Sequence, residues 1–140
     1  MGARRRDGVV ALVSGGLDSL CLIQLLRQSK TPVSPVYVRC GLIWEPVELF
    51  WLREWLAKIP SSSVRTLTVL HAPLHGLYER HWSVTGRGVP ASTSPDKAVY
   101  LPGRNVLLLA QAAIYAAQHG LSTLALGTLS GNPFQDAAPE

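Results

Sequence analysis

Apolar residues along this chain fall into short runs that alternate with longer stretches of helical period. Val9–Val13, Pro35–Arg39, Val64–Leu70 and Thr123–Leu126 are brief and rich in Val, Leu or Thr, the pattern of strands. Between them, Leu17–Gln28 places Leu22, Leu25 and Leu26 on one helical face and ends in Arg27 and Gln28. Pro46 suits the first turn of a second helix with an apolar stripe of Trp51, Leu52, Trp55, Leu56 and Ile59. Its wet side would carry Glu48, Arg53, Glu54 and Lys58. A third helix, Asn105–Gln118, is apolar nearly all round, which predicts burial between the sheet and something else, and Gly120 stands at its C′ position. Strands separated by helices imply βαβ units and an α/β fold built as a three-layer, doubly wound parallel sheet.

His71–Gly103 fits neither period. Pro73, Gly76, Gly86, Gly88, Pro90, Pro95 and Pro102 punctuate it, and a connection this long is expected to have a function. We read it as a substrate-facing flap, because a second motif follows it directly.

The first motif is Ser14-Gly15-Gly16-Leu17-Asp18-Ser19, between the first strand and the first helix. Gly15 and Gly16 keep side chains out of the way of a ligand, so backbone N–H groups are free to point at phosphate oxygens. The helix that follows adds its unpaired N–H groups and the positive end of its dipole. Ser14 and Ser19 bring short hydroxyl donors, and Asp18 stands where a helix cap or a metal-linked carboxylate is useful. No Lys follows, so this is not the Walker A loop, and the spacing is not G-x-G-x-x-G. The bland alternative is a Gly-Gly turn joining two core elements. In an open parallel sheet the ligand sits beyond the carboxyl ends of the strands, which is where this loop falls.

Composition narrows the picture only modestly. The chain has 140 residues, 47% hydrophobic and 16% charged, which fits one folded domain. A net charge of +4 suits an anionic ligand, but Arg4-Arg5-Arg6 supplies part of it, and no basic stripe with interleaved aromatics points to direct nucleic-acid binding. Cys21 and Cys40 lack C-x-x-C spacing and define neither a disulfide framework nor a zinc site. His71 and His75 are separated by Pro73, which spoils a helical metal pair, so no metal ligands are assigned. No signal peptide is read, and the apolar stretch Val106–Ala117, broken by Gln111, is too short to span a bilayer. A cytoplasmic location without membrane partners is expected.

The second motif is Tyr100-Leu101-Pro102-Gly103-Arg104-Asn105. Arg104 offers a planar fork of donors for phosphate or carboxylate at a helix N-terminus, and Asn105 is placed to cap that helix. Read singly, the pair could equally be a surface residue and a cap. The string S-G-G-x-D-S resembles the PP-loop of the ATP pyrophosphatases. Together with the Pro-Gly-Arg-Asn motif, the helix Leu107–Ala116 and the Leu126-Gly127 step, it resembles the 7-cyano-7-deazaguanine synthase family of queuosine biosynthesis.

That resemblance implies an adenine-nucleotide alpha-hydrolase-like, Rossmann-like fold and an ATP-dependent carbon-nitrogen ligase that makes a tRNA-modification precursor. The carboxylate 7-carboxy-7-deazaguanine would be adenylated and aminated by ammonia, and the amide would then be dehydrated to the nitrile. Carried over by position, Val13, Ser14, Gly15, Gly16, Leu17, Asp18, Ser19, Leu20, Cys21, Leu22 and Ile23 would surround the ATP phosphates. Asp18 and Arg104 would serve catalysis, and Arg104, Asn105, Gly127 and Asp136 would meet the substrate. Mg²⁺ is expected with ATP, and a homo-oligomer is left open.

Several strings depart from the family pattern. Members usually carry a C-terminal cysteine cluster holding structural zinc, and no such ligands are visible in this sequence, which reads as a single PP-loop ATP-binding domain lacking that part. Gly131–Glu140 keeps Asp136 but not the usual Cys and Arg, and Arg39–Trp44 replaces a common Tyr-Gly string with basic neighbours. The alternatives are a PP-loop relative that adenylates another substrate, or an ATP-binding module without full activity.

Overall fold

The structure is a computed structural model and describes residues 8–128. In chain order it runs β1 (Val9–Leu12), α1 (Leu17–Gln28), β2 (Val33–Arg39), α2 (Glu45–Leu56), β3 (Thr68–His71), α3 (Trp82–Thr85), a short 3-10 turn (Asp96–Ala98), α4 (Arg104–Gln118) and β4 (Thr123–Leu126). The four strands pair in parallel in the order β3-β2-β1-β4, so the expected α/β sheet is present. The chain winds from β1 through β2 to β3, then crosses to the far side of β1 to lay down β4. That reversal puts a switch point between β1 and β4, the place where an open α/β sheet has a crevice.

Side-chain alternation sends β1 and β2 residues to both faces. Val9, Ala11, Val33 and Tyr37 pack under α1 and α2 with Ile23, Leu49 and Leu52. Val10, Leu12, Val36 and Val38 pack on the opposite face with Ala112 and Ala116 of α4 and with Leu74 and Leu101. Strands buried on both faces read as continuous apolar runs, which is why β1 has no polar alternation. Helices on the two faces complete the three layers.

Pro35 explains why the third strand is shorter than Val64–Leu70. Val33 N–H donates to the Ser63 carbonyl at 3.2 Å, and the Val33 carbonyl accepts from Arg65 N–H at 2.8 Å. Alternate β2 residues therefore turn their backbone groups toward β3, and Pro35, two residues on, has no N–H to give there. Pairing lapses after the isolated Val33–Val64 bridge and resumes where Val36 stands beside Thr68.

The ends of the helices differ in how well the pattern predicts them. Helix α4 closes with Leu121 N–H donating to the Ala116 carbonyl at 2.9 Å and Gly120 N–H to the Ala117 carbonyl at 3.3 Å. Gly120 has φ of 71°, so the expected C′ glycine forms a Schellman motif, with Leu121 and Ala116 in one apolar cluster. The N-terminus of α4 departs from expectation. Gly103, with φ of 71°, is the N-cap, and Asn105 lies inside the first turn instead of capping it. Asp18 likewise is not a cap, since Gly16 holds that position in α1.

The predicted faces also need correction. Helix α1 buries Ser19 and Ile23 and leaves Leu25 64% exposed. Helix α2 buries Glu45, Leu49 and Leu52, and Trp51 stands 62% exposed, in edge contact with Phe50. Helix α4 is not buried all round: Ala112 and Ala116 face the core, and Ile114 is 56% exposed. Small residues at i and i+4 let α4 lie close to the sheet, so one face is enough to seat it. Among the described residues no helix is long and apolar enough to cross a membrane.

Candidate functional site

A cleft of about 350 Å³ opens at the carboxyl ends of β1, β2 and β4, between the loop after β1 and the start of α4. Its size falls in the range of small-molecule sites. The loop itself is tightly built. Ser19 is buried, and its hydroxyl oxygen accepts from Ser14 N–H at 3.2 Å and Gly15 N–H at 3.1 Å while donating to the Gly16 carbonyl at 3.0 Å. Ser14 Oγ in turn accepts from Gly16 N–H at 3.3 Å. These contacts change the roles assigned from sequence: Ser19 fastens the turn, and two of the loop amides are spent on it. The amides of Leu17, Asp18 and Ser19 come before the first intrahelical bond, Leu20 N–H to the Gly16 carbonyl, and stand at the positive end of the α1 dipole.

The two glycines do different work. Gly15 has φ of 81°, and a Cβ there would lie 2.9 Å from the Glu48 carbonyl oxygen, so its bareness serves close packing against α2. A Cβ on Gly16 would meet only Ser14 Oγ, at 3.4 Å. The space over Gly16 is therefore the open part of the cradle. On the other side, a Cβ on Gly127 would approach the Asp18 carbonyl to 3.2 Å, which shows how closely the end of β4 passes the start of α1.

Of the residues predicted around phosphates, Val13, Ser14, Gly16, Asp18 and Ser19 line the cleft. Gly15 lies behind it against α2, and Leu17 is exposed at the helix start. Leu20, Cys21, Leu22 and Ile23 run on into α1, and Ile23 is fully buried in the core under the sheet. Helical geometry carries these four away from the loop within one turn. Arg104, Asn105 and Gly127 all line the cleft, and Asp136 lies outside the described residues.

Arg104 is the most telling of these. Its Nε is buried and has no hydrogen-bond partner among the described residues. A cation in the first turn of a helix opposes the macrodipole, and a buried donor without an acceptor costs free energy, so its position answers to something other than stability. An anion entering the cleft supplies both the charge and the acceptor.

Residues not assigned to the site from sequence also line it, among them Tyr37 and Val38 from β2, Trp44 before α2, Glu48 from α2, and Val99, Tyr100 and Leu101 from the long connection. Glu48 was expected on the wet side of α2. It instead turns into the cleft, where Tyr37 Oη donates to its Oε2 at 2.7 Å. Burial holds the Glu48 carboxyl above the ordinary carboxylate range, against the pull of the Tyr37 hydrogen bond and the Arg104 charge. Burial and the Glu48 carboxylate push the Tyr37 phenol up as well, so it remains a donor.

A stability consequence follows. The native Glu48 carboxyl binds its proton more tightly than an unfolded one, so the group favours folding at acid pH and loses that contribution as pH rises through the native value. Glu48→Gln has no such titration. Its melting temperature is expected to exceed that of the wild type by a margin that grows from about pH 4 to about pH 7. Parallel thermal scans across that interval check this, and a margin that does not widen contradicts it.

The loop between β2 and α2 is held by an acid of a different kind. Glu45 is 1% exposed and accepts from Cys40 N–H at 2.5 Å and Gly41 N–H at 3.1 Å, with Arg39 Nε at 3.7 Å. Burial pushes the neighbouring Cys40 thiol up to about 11, which favours the protonated thiol at neutral pH.

The connection 71–103 is anchored to this loop. Ile43 N–H donates to the Ser83 carbonyl at 2.8 Å, Trp44 and Trp82 rings lie 5.4 Å apart, and Trp82 Nε1 donates to the Ala98 carbonyl at 2.9 Å. Its last residues, Val99, Tyr100 and Leu101, line the cleft.

Loop, helix terminus and Arg-bearing motif thus share one cleft, and residues 8–135 match the family described as queuosine biosynthesis protein QueC. The chain belongs to the QueC family. The parallel α/β sheet is the fold expected of its PP-loop members, and the QueC family acts in queuosine biosynthesis and uses ATP. None of the curated proteins compared with the chain matches it. Among the described residues of this QueC member no three His, Cys, Asp or Glu side chains come together to hold a metal, and Cys21 and Cys40 are both free.

Proposed function

We propose that this QueC member is an ATP-dependent ligase that converts 7-carboxy-7-deazaguanine and ammonia to 7-cyano-7-deazaguanine. The unpartnered Arg104 Nε, buried in the cleft beside the loop after β1, is the observation that carries the reading. Activation of a carboxylate by ATP needs phosphate binding and charge neutralisation, not a side-chain nucleophile, and the start of α1 and Arg104 on the cleft support that reading.

The substrate carboxylate oxygen attacks the α-phosphorus of ATP and pyrophosphate leaves. Ammonia then adds to the acyl carbon, AMP leaves with that oxygen, and a lost proton yields the amide. A second ATP activates the amide oxygen in the same way, and loss of AMP and protons forms the carbon–nitrogen triple bond. The amides at the start of α1 hold phosphate oxygens, and Arg104 offsets the charge that builds on the α-phosphoryl group. Asp18 is the exposed carboxylate on the cleft that would hold Mg²⁺, a cation that binds through one or two carboxylates and the phosphates themselves.

Incubation of the chain with the acid, ATP, Mg²⁺ and ammonia is expected to give the nitrile and AMP, read by mass spectrometry. AMP release without nitrile points to a different acceptor and overturns the assigned product. Absence of both overturns the ligase reading.

A further inference from the structure

The cleft holds a contradiction if its ligands are only anions. Glu48 brings a carboxylate into a space that phosphates and a substrate acid are to enter, at a cost in desolvation that burial makes plain. The Arg104 charge offsets only part of that cost and forms no ion pair with Glu48: the sole ion pair among the described residues joins Arg39 to Glu45, and Arg104 Nε is without a partner. Tyr37 donates to Oε2, and the carboxyl group lines the cleft. The hydroxyl fixes the direction of the carboxyl group, and Tyr37 is itself buried in the sheet, so the acceptor is held rather than free to swing into water.

A cleft that keeps a buried guanidinium donor without a partner and a carboxyl acceptor oriented by Tyr37 asks for a ligand bearing both an anionic group and N–H donors. We propose that Glu48, positioned by Tyr37, accepts hydrogen bonds from the N–H donors on the edge of a purine-like base in the cleft. This rests on the ATP-ligase reading, which supplies two molecules of that chemistry. ATP carries the 6-amino group of adenine, and the substrate acid carries the amino and ring N–H groups of a guanine-like edge.

The test exploits a sign. Glu48→Gln removes negative charge from an anion site, so electrostatics alone makes ATP, and inosine triphosphate with it, bind more tightly or unchanged. If Glu48 is the base acceptor, Gln gives its carbonyl to Tyr37 and turns an NH₂ donor toward the base donors, and affinity falls. Calorimetric titration of the wild type, Glu48→Gln and Tyr37→Phe with ATP·Mg²⁺, with inosine triphosphate·Mg²⁺ and with 7-carboxy-7-deazaguanine separates the cases. The expected result is at least a tenfold loss for Glu48→Gln and a smaller one for Tyr37→Phe, on one of the two base-bearing ligands.

Loss for ATP, with inosine triphosphate spared, assigns the acceptor to adenine. Loss for the acid, with both nucleotides spared, assigns it to the substrate. Equal loss on both nucleotides, or no loss on any ligand, overturns the proposal and leaves the ligase reading standing, because the wild type still binds. A wild-type protein that binds neither ATP nor the acid overturns the ligase reading and this proposal with it. Thermal scans of each variant exclude unfolding as the source of a loss.

Discussion

Replacing Arg104 by Ala is expected to lower kcat/KM for nitrile formation by two to three orders of magnitude, about 3 kcal/mol of transition-state stabilisation, while the protein stays folded. The asymmetry follows from where Arg104 sits. It contributes no hydrogen bond from Nε to the native structure, and its charge lies at the end of α4 where the dipole disfavours it. Removing it therefore costs the fold little. The same atom is the buried donor beside the loop after β1, in a water-poor setting where a charged hydrogen bond counts for most. Arg104→Lys keeps the charge but not the planar fork, and is expected to recover only part of the rate. Steady-state kinetics paired with melting curves check this. A rate within tenfold of wild type for Arg104→Ala removes Arg104 from the catalytic step.

The two loop glycines are expected to fail in opposite ways. Gly15→Ala destabilises the protein by more than about 2 kcal/mol, since it adds left-handed strain to a Cβ only 2.9 Å from a helix carbonyl that has nowhere to go. Gly16→Val leaves the melting temperature near that of the wild type, because its backbone is extended, at φ of −75°, and its side chain points into open space. That space is the cradle, so ATP affinity falls at least tenfold, or about 1.4 kcal/mol. Calorimetry and thermal scans on the pair separate packing from binding. Unchanged ATP affinity in Gly16→Val shows that phosphate does not occupy the cradle, and an unchanged melting temperature in Gly15→Ala contradicts the loop geometry.

The parallel sheet and the loop at its carboxyl edge were legible because both are written in local sequence. Val9–Leu12 is a run that only a strand buried on two faces tolerates, and Gly-Gly between it and a periodic helix marks a turn with room above it. Gly120 was legible for the same reason, since a left-handed C′ residue has few alternatives.

What stayed hidden depends on neighbours distant in sequence. The gap before β3 comes from Pro35 in the adjoining strand. Which side of α4 is wet depends on how closely Ala112 and Ala116 draw it to the sheet, and an apolar sequence does not record that. Glu48 is the instructive case. It stands three residues after the buried Glu45 and four before the buried Leu52, at the margin of the helical stripe, and periodicity treats a margin facing a cleft and one facing solvent alike. Two acids on one flank of an apolar stripe were the available signal.

Adenylation of the acid is the central claim, and isotope exchange reads it without requiring the later steps. With labelled pyrophosphate, ATP, Mg²⁺ and 7-carboxy-7-deazaguanine but no ammonia, the wild-type chain is expected to move label into ATP, because reversible attack at the α-phosphorus regenerates it. Omitting the acid is expected to abolish the exchange, and Arg104→Ala to reduce it sharply. A wild-type chain that binds ATP yet shows no acid-dependent exchange would contradict the account.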